Sequence, residues 1–319
     1  MRIRISILAF LLALANLVHG QTDRIVGWYS PVYMKANKPV AQGYSKPLII
    51  PIKKAGNLLL IEAKLDGVTG YFILDTGAPY LVLNSTYFRN YPHIQDYAAL
   101  GVNNVEVDIF RTRVDRLEIR NLFYENLDAD VANLGHLENS RNVKILGLLG
   151  TNLFTAFVLG IDVQQQFISL HTPADFNKAN SSVPFNRIPF VLQNNTISVN
   201  GAMNGVQMNF VFDTGAEINV LDNELPDAVY ESFIVQKRNT LNSSVGETID
   251  VFAGVVLRAE VADLPFLSMK TIMTNLDGIG KVYGIKVDGI LGYEFLAKSP
   301  LFIDFNAQEL KIYIRKFYE

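Results

Sequence analysis

The chain has 319 residues, a length that suggests two units of roughly 100–200 residues each. Its residues are 49 % hydrophobic, too many for a disordered chain, and its 28 Lys and Arg against 31 Asp and Glu leave no basic surface for nucleic acid. The absence of cysteine excludes disulfides, a thiol nucleophile and Cys-ligated metals, so any chemistry falls to carboxylates, hydroxyls, His or Lys.

The first twenty residues have the pattern of a secretory signal peptide. Arg2 and Arg4 precede an apolar run from Ile5 to Val18, and the small residue Gly20 follows. The run is shorter than the roughly 18 residues of a membrane-spanning helix, and an uncleaved anchor is the alternative. We therefore expect a secreted or periplasmic protein with no membrane span after signal cleavage. An exported protein without cysteine is more typical of a bacterial envelope or exterior than of a eukaryotic secretory route.

Residues 21–47 form an N-terminal extension before the first predicted strands. Trp28, Tyr29 and Tyr33 lie close together in it, and solvated linkers rarely carry three aromatic residues at such spacing. The extension is therefore predicted to pack on the body of the protein. A pro-segment, an edge strand and an ordered arm are all compatible with this pattern.

The rest of the chain is an internal repeat, which predicts two homologous lobes at residues 48–180 and 181–319. At an offset of 138, the segment Phe72–Ala78 aligns with Phe210–Ala216. From residue 105 onwards the offset is 142, so the second unit has a four-residue insertion after its Asp-Thr-Gly and before residue 247. The seam between the units falls in a polar, turn-like stretch at residues 175–186.

Each lobe is predicted to consist of β-strands, because its apolar runs are short, rich in branched and aromatic residues, and separated by Gly, Asn and Asp. The first unit has predicted strands at Leu58–Leu65, Tyr71–Leu74, Val105–Phe110, Val114–Ile119 and Phe167–Leu170. Short helices are predicted at Ser85–Phe88 and Asn152–Phe157, with counterparts at Asn223–Tyr230 and Glu294–Ala297. The predicted fold class is all-β.

Two Asp-Thr-Gly tripeptides, Asp75–Gly77 and Asp213–Gly215, stand at equivalent positions of the repeat. Each follows an apolar strand, so the Asp leaves a buried strand for a tight turn, where glycine allows a sharp bend and a close approach of a neighbouring chain. A duplicated Asx-type turn is the structural alternative. If the turns meet, two carboxylates about 3 Å apart cannot both ionise, so they share one proton and titrate as a pair.

Such a pair can activate water. The ionised carboxylate takes a proton from a water held between the two groups, the water attacks a carbonyl, and the protonated partner supports the oxyanion before a proton passes to the leaving amine. This hydrolysis needs no cofactor and no metal. The histidines outside the signal peptide, His93, His136 and His171, are scattered without an H-x-x-x-H pair, so no metal site is predicted.

Each Asp-Thr-Gly belongs to a longer pattern, in which Ala follows directly and a hydrophobic-hydrophobic-Gly triplet comes later. The two sets are Asp75-Thr76-Gly77-Ala78 with Leu148-Leu149-Gly150, and Asp213-Thr214-Gly215-Ala216 with Ile290-Leu291-Gly292. With this pattern the chain resembles the aspartic proteases. The D-T-G-A form is similar to retroviral-type enzymes, and two copies in one chain are similar to the bilobal pepsin-like architecture. The resemblance implies an acid-protease fold of two β-barrel-like lobes with an active-site cleft between them.

The resemblance also implies roles for these residues. Asp75 and Asp213 are the expected catalytic dyad, and Thr76 and Thr214 are expected to lock the two loops by reciprocal hydrogen bonds to the opposite backbone. The supporting loops are completed by Gly77, Ala78, Gly215 and Ala216, and each hydrophobic-hydrophobic-Gly triplet is expected beneath its loop. The expected activity is that of an aspartic endopeptidase acting on polypeptides. Because one chain holds both half-sites, we expect a monomer.

Related enzymes close a β-hairpin flap over an extended peptide. Flaps are predicted here at two repeat-equivalent stretches: Asn103–Arg113 with the hinge Gly101, and Val245–Val255 with the hinge Gly246. Phe110 and Phe252 are the candidate substrate-binding residues, and the alternative is that both are buried hairpin aromatics. No counterpart of the single flap Tyr of pepsin-like enzymes is found, which favours two retroviral-like flaps or flaps of another design.

Two other functions stay open. One is a catalytically inactive peptide-binding protein on the same fold, against which the intact Asp, Thr and Gly residues argue. The other is a two-carboxylate glycoside hydrolase, which requires carboxyl groups roughly 5–9.5 Å apart. Asp162 and Asp304 also repeat, but each lies at the end of an apolar strand and is expected to be structural, bonded to backbone amides.

Overall fold

The computed structural model describes residues 38–44, 47–100, 106–139, 141–180, 185–242, 248–277, 279–280 and 284–313. The expected signal peptide, the aromatic cluster of the N-terminal extension and the proposed hinges Gly101 and Gly246 lie outside the described residues. Within the described ranges, no helix is long and apolar enough to cross a membrane.

Strands dominate the chain and form two sheets. The smaller sheet has eight strands from the first half of the chain: β2 (Lys53–Ala55), β3 (Leu58–Leu65), β4 (Val68–Asp75), β5 (Leu81–Asn84), β6 (Gln95–Leu100), β7 (Glu106–Ile119), β8 (Leu122–Ala132) and β9 (Ile145–Gly150). The larger sheet has thirteen: β1 (Leu48–Pro51), β10 (Val158–Asp162), β11 (Phe167–His171), β12 (Phe185–Gln193), β13 (Thr196–Met203), β14 (Val206–Phe212), β15 (Asn219–Asp222), β16 (Phe233–Asn242), β17 (Thr248–Val261), β18 (Leu264–Thr274), β19 (Gly289–Leu291), β20 (Leu301–Asp304) and β21 (Glu309–Tyr313).

The helices in the described ranges are all short. They include α1 (Ser85–Phe88), α2 (Gly135–Asn139), α3 (Pro173–Ala179), α4 (Asp227–Tyr230) and α5 (Tyr293–Leu296), with a 3₁₀ turn at Thr151–Leu153. A helix was predicted at Asn152–Phe157, and only this 3₁₀ turn forms there.

Each half of the chain closes six strands into a ring. The order is β3-β4-β9-β5-β8-β7 in the first half and β13-β14-β19-β15-β18-β17 in the second, and β7–β3 and β17–β13 pairing close the rings. The closing pairs are equivalent in the repeat, since Lys64 pairs with Glu118 and Ala202 pairs with Glu260. The predicted all-β fold with two homologous, barrel-like lobes is therefore confirmed.

Strand β3 illustrates how the sequence builds these rings. Its odd-numbered residues from Leu59 to Leu65 face the main hydrophobic core inside the ring. Leu58 and Leu60 point to the other face, where they join a second apolar cluster with Leu134 and Leu137. The strand therefore begins as a continuous apolar run, buried on both faces, and becomes alternating where Glu62 and Lys64 are exposed.

Both halves contribute strands to one six-stranded layer. Strands β1, β11 and β10 come from the first half, and β20, β21 and β12 come from the second. Antiparallel pairing of β10 with β20 joins them, with Val158 opposite Asp304 and Ile161 opposite Leu301. The main hydrophobic core contains residues of both halves, so the lobes share backbone hydrogen bonds and a core.

The four-residue insertion lies at residues 223–226. Strands β5 and β15 are equivalent at the offset of 138, whereas α1 and α4 are already equivalent at 142. The helix predicted at Asn223–Tyr230 is accordingly only α4, which begins after Pro226. A residue before proline is driven towards extended geometry, so the inserted segment cannot continue the helix.

Candidate active site

Each Asp-Thr-Gly turn follows the end of a central strand. Strand β4 runs parallel to β9 with Leu74 opposite Leu149, and β14 runs parallel to β19 with Phe212 opposite Leu291. The glycine that ends each triplet allows a close approach to the loop: a Cβ on Gly150 would lie 2.1 Å from the Tyr80 carbonyl oxygen, and one on Gly292 would lie 2.6 Å from that of Ala216. The triplets thus pack against the loops as the resemblance implied.

The two turns bring their carboxyl groups together. Asp75 Oδ1 accepts hydrogen bonds from the amides of Gly77 at 2.8 Å and Ala78 at 3.0 Å. Asp213 Oδ1 accepts from Gly215 at 2.7 Å and, across the interface, from Gly77 at 3.1 Å. One amide therefore serves both carboxyl groups, and the shared N–H holds the two Oδ1 atoms close together.

The threonines of the two motifs tie the loops to each other. The Thr76 hydroxyl donates to the Phe212 carbonyl at 3.1 Å and accepts from the Thr214 amide at 3.0 Å. The Thr214 hydroxyl donates to the Leu74 carbonyl at 2.9 Å and accepts from the Thr76 amide at 3.0 Å. All four bonds cross between the lobes and are buried, so the reciprocal bonding implied by the resemblance is confirmed.

The alanines after each motif hold the loops to the rest of their lobes. The Ala78 carbonyl accepts from the Thr151 amide at 2.9 Å, and the Ala216 carbonyl accepts from the Tyr293 amide at 2.8 Å. Thr151 and Tyr293 are equivalent at the offset of 142. The two supporting loops are therefore built alike.

The electrostatics of the pair follow from burial. Asp75 and Asp213 are both completely buried. Burial raises the pKa of Asp75 well above its ordinary value, and the charge of Asp213 raises it further. Burial also raises the pKa of Asp213, against the lowering effect of its hydrogen bonds with the backbone amides of Gly215, Gly77 and Ala216 and with Asp75. The Oδ2 atoms of both residues have no hydrogen-bond donor among the described residues.

The two hairpins predicted as flaps are matched in length. Leu100 pairs with Glu106 and Asn242 pairs with Thr248, so five residues join the two strands of each hairpin. These residues, 101–105 and 243–247, lie outside the described residues. Strand β7 pairs with β8 only from Phe110 onwards, and β17 pairs with β18 only from Phe252 onwards. Each hairpin therefore extends beyond its barrel as a two-stranded arm.

The two hairpin phenylalanines lie at the roots of these arms. Phe110 is 8 % exposed, belongs to the main core and stacks on His93 with 3.6 Å between ring centroids. Phe252 is half-buried against the same core, with the Arg238 guanidinium 5.6 Å from its ring centroid. Phe110 thus has the position of a buried hairpin aromatic, the alternative to a substrate-binding role.

The repeated aspartates outside the loops are structural, as predicted. Asp162 Oδ1 accepts from the Gln165 amide at 2.9 Å, and Asp304 Oδ1 accepts from the Ala307 amide at 2.9 Å. Asp304 also forms a buried ion pair with Lys311 at 2.5 Å.

The sequence interpretation missed a second set of contacts between the lobes. The Asn57 side-chain amide donates to the Glu217 carbonyl at 2.8 Å, and the Asn195 side-chain amide donates to the Pro79 carbonyl at 3.3 Å. Asn57 and Asn195 are equivalent at the offset of 138, as are Pro79 and Glu217. The sequence signal for these contacts was a pair of asparagines at equivalent positions of the repeat. Asparagine is common in hairpin turns, so the pair did not indicate a contact between the lobes.

Comparison with known proteins identifies the family of the chain. The family model described as aspartyl protease matches residues 61–153 and 199–295, two stretches whose ends the repeat makes equivalent and which each contain one Asp-Thr-Gly. The chain belongs to the aspartyl protease family, with a two-lobed architecture. A crystal structure of the aspartic proteinase from Irpex lacteus matches with a TM-score of 0.46 and 11 % identity, covering 85 % of this chain and 98 % of that chain. The comparison with curated proteins found no match.

Proposed function

We propose that the chain is an aspartic endopeptidase that hydrolyses peptide bonds through a water activated by Asp75 and Asp213. One observation carries the proposal: two buried carboxyl groups, one from each lobe, accept hydrogen bonds from the same Gly77 amide, which holds them close together. Carboxyl groups held this close share a proton, which provides an acid and a base in one site.

The two aspartates divide the roles of base and acid between them. Each carboxyl group accepts hydrogen bonds from two backbone amides, Asp75 from Gly77 and Ala78 and Asp213 from Gly215 and Gly77, and burial raises the pKa of both. The ionised carboxyl group takes a proton from water, the protonated one supports the oxyanion of the attacked carbonyl, and a proton then passes to the leaving amine. The Oδ2 atoms, free of protein donors in the described ranges, are the atoms available for these contacts.

The close contact of the carboxyl groups argues against a glycoside hydrolase. Two-carboxylate glycosidases hold these groups roughly 5–9.5 Å apart, to fit a sugar carbon or a water between them. Here one N–H group, that of Gly77, donates to an oxygen of each carboxyl group, so these two oxygens lie closer together than that. An inactive peptide-binding protein would have the same fold, so only an activity measurement separates it from the endopeptidase.

We further propose a polypeptide substrate bound in extended form between the two hairpin arms, which offer backbone groups for strand-like pairing. Export through the signal peptide would bring the enzyme to the periplasm or the exterior. The active unit is a monomer, because a single chain supplies both aspartates.

Cleavage of a peptide library by the purified chain tests the proposal. Asp75→Asn and Asp213→Asn each remove a proton-transfer group, so we expect cleavage to fall by about 10²–10⁴-fold or more. Asp162→Asn, at a repeated aspartate outside the catalytic loops, is the matched control and should cleave like the parent. Cleavage at the parent rate by either loop variant would exclude the dyad, and a parent chain that cleaves no peptide would favour the binding protein.

A further inference from the structure

The turn of the β2–β3 hairpin reaches from the first lobe to the loop of Asp213. The Asn57 backbone amide donates to Glu217 Oε1 at 3.0 Å, and its side-chain amide donates to the Glu217 carbonyl at 2.8 Å. Gly56 has φ +63°, and a Cβ there would lie 2.6 Å from Glu217 Oε1. The turn is therefore shaped to receive this one glutamate, which comes directly after Ala216 in the loop.

The Glu217 carboxylate is also paired with a charge of the opposite lobe. It forms an ion pair with Arg141, which follows α2 in the first lobe, and both side chains are less than one-tenth exposed. Removing one partner of a buried pair leaves the other charge uncompensated, which makes such pairs costly to break. Glu217 thus joins the Asp213 loop to two segments of the first lobe.

A second contact from the same hairpin lies under the Asp213 loop. Lys54 in β2 donates to the Tyr293 hydroxyl, and its ammonium lies 4.6 Å from the centroid of that ring. The Tyr293 amide donates to the Ala216 carbonyl at 2.8 Å. The β2–β3 hairpin therefore contacts the Asp213 loop in two ways. It binds Glu217, which follows Ala216 directly, and it binds Tyr293, whose amide donates to the Ala216 carbonyl.

The Asp75 loop is held differently. The repeat-equivalent contact there is a single hydrogen bond of 3.3 Å, which the Asn195 side-chain amide donates to the Pro79 carbonyl. Pro79 stands at the position of Glu217, so an ion pair like that with Arg141 is impossible. The two half-sites are thus symmetric in their Asp-Thr-Gly turns and asymmetric in the contacts that fix these turns to the opposite lobe.

We propose that Glu217 is a positioning residue for Asp213. Its ion pair with Arg141 and its bonds with Asn57 fix the Asp213 loop against the first lobe, which keeps the Asp213 carboxyl in reach of the Gly77 amide. The inference rests on the proposed function, because its catalytic consequence requires a working dyad. Misplacing a reacting group by about 1 Å is enough to cost on the order of a hundredfold in rate.

Kinetics of Glu217 variants test the proposal. We expect Glu217→Ala to lower kcat by about tenfold to a hundredfold, with KM within about twofold and a shifted pH profile of kcat. Glu217→Gln keeps an acceptor for Asn57 and loses only the ion pair, so its kcat should lie between those of Glu217→Ala and the parent. Asn57→Ala should lower kcat more than Asn195→Ala does. Lys311→Met, which breaks an equally buried ion pair in the layer shared by the lobes, is the control: it should lower stability and leave kcat and the pH profile unchanged.

A readout without turnover separates the positioning role from the proposed activity. In the parent, the Gly215 amide is bonded to Asp213 Oδ1, and we expect its hydrogen exchange to be faster by about tenfold in Glu217→Ala under conditions where Lys311→Met leaves it unchanged. A Glu217→Ala variant with parental kcat, pH profile and Gly215 exchange would overturn the proposal, even if it were less stable. If the parent cleaves no peptide, the proposed function fails, and Gly215 exchange alone then decides the positioning role.

Discussion

At the scale of single residues, Gly77 is the point where the two half-sites meet. Its amide donates to both carboxyl groups. A Cβ at this position would lie 2.5 Å from Asp213 Oδ2, a separation that carbon and oxygen do not reach without a bond. The glycine is therefore required by the opposite lobe, in addition to the bend of its own turn.

Replacing Asp75 by Asn should stabilise the fold at neutral pH. The pKa of Asp75 is raised above 3.8 in the folded state, so between 3.8 and that higher pKa the folded state binds a proton that the unfolded state has released. The unfolding free energy of the parent therefore falls as the pH rises through this window. Asp75→Asn removes the titration, keeps an acceptor for the Gly77 and Ala78 amides, and places a donor next to Asp213.

Urea unfolding near pH 7 and near pH 3 measures this effect, because the lower pH lies below the window and the higher one lies well above 3.8. The advantage of Asp75→Asn over the parent should be larger at the higher pH and shrink at the lower one. Asp162→Asn should show no comparable gain at neutral pH. An Asp75→Asn variant that is less stable than the parent near pH 7 would contradict the raised pKa.

Sequence analysis predicted Asp75 and Asp213 as the dyad but did not predict a role for Glu217, for a physical reason. Asp75 and Asp213 stand in tripeptides whose chemistry is specific, and duplication makes them conspicuous. Glu217 has its role only through Arg141 and Asn57, which lie far away along the chain. A contact between distant segments leaves no local pattern in either of them.

At the scale of elements, the two Asp-Thr-Gly loops depend on the threonine bonds between them. Thr214→Val should leave the Leu74 carbonyl and the Thr76 amide without buried partners, at a cost of about 1–3 kcal/mol in unfolding free energy for each group. Thr214→Ser keeps the hydroxyl and should recover most of the loss.

Denaturant unfolding of these variants has a close control. Thr112 is also fully buried, but its hydroxyl has no hydrogen-bond partner among the described residues. Thr112→Val therefore makes the same chemical change without breaking a bond observed there. We expect Thr112→Val to be neutral or stabilising. Equal losses for Thr112→Val and Thr214→Val would mean that the bonds between the loops contribute nothing measurable.

Most strands could be predicted from local pattern, and β7 shows where this failed. The sequence predicted separate strands at Val105–Phe110 and Val114–Ile119, because the polar residues between them resemble a break. The structure has one strand, Glu106–Ile119. Arg111 continues it because a partner is available on the neighbouring strand, Asp130, whose carboxylate accepts its hydrogen bonds at 2.8 and 3.1 Å. The ion pair compensates a buried charge that local pattern counts as unfavourable.

At the scale of the whole molecule, the repeat predicted two lobes but did not predict how they are joined. Equivalent motifs at a constant offset are visible in the sequence, whereas the pairing of β10 with β20 connects segments more than a hundred residues apart and leaves no periodic trace. The shared layer and the threonine bonds hold the half-sites together from two sides. Each lobe is chemically incomplete, since it supplies one aspartate of a pair.

The symmetry of the molecule extends to the hairpin arms. The two lobes have arms of equal length, as expected for a protein with two similar flaps instead of one flap with its Tyr. We propose that both arms take part in holding the substrate. Pairing of an extended peptide with two similar arms would select substrates by shape and backbone more than by charge, which suits a chain with a formal net charge of −3.

The pH dependence of kcat/KM for one cleaved peptide tests the central claim most directly. A dyad that works with one shared proton predicts a bell-shaped profile, with one limb for each proton of the pair. The upper limb should lie above the ordinary aspartate value of 3.8, because burial raises the pKa of both residues. Asp75→Asn and Asp213→Asn should lower kcat/KM by about 10²–10⁴-fold or more across the range. A profile without an upper limb, or parental activity in either variant, would contradict the account.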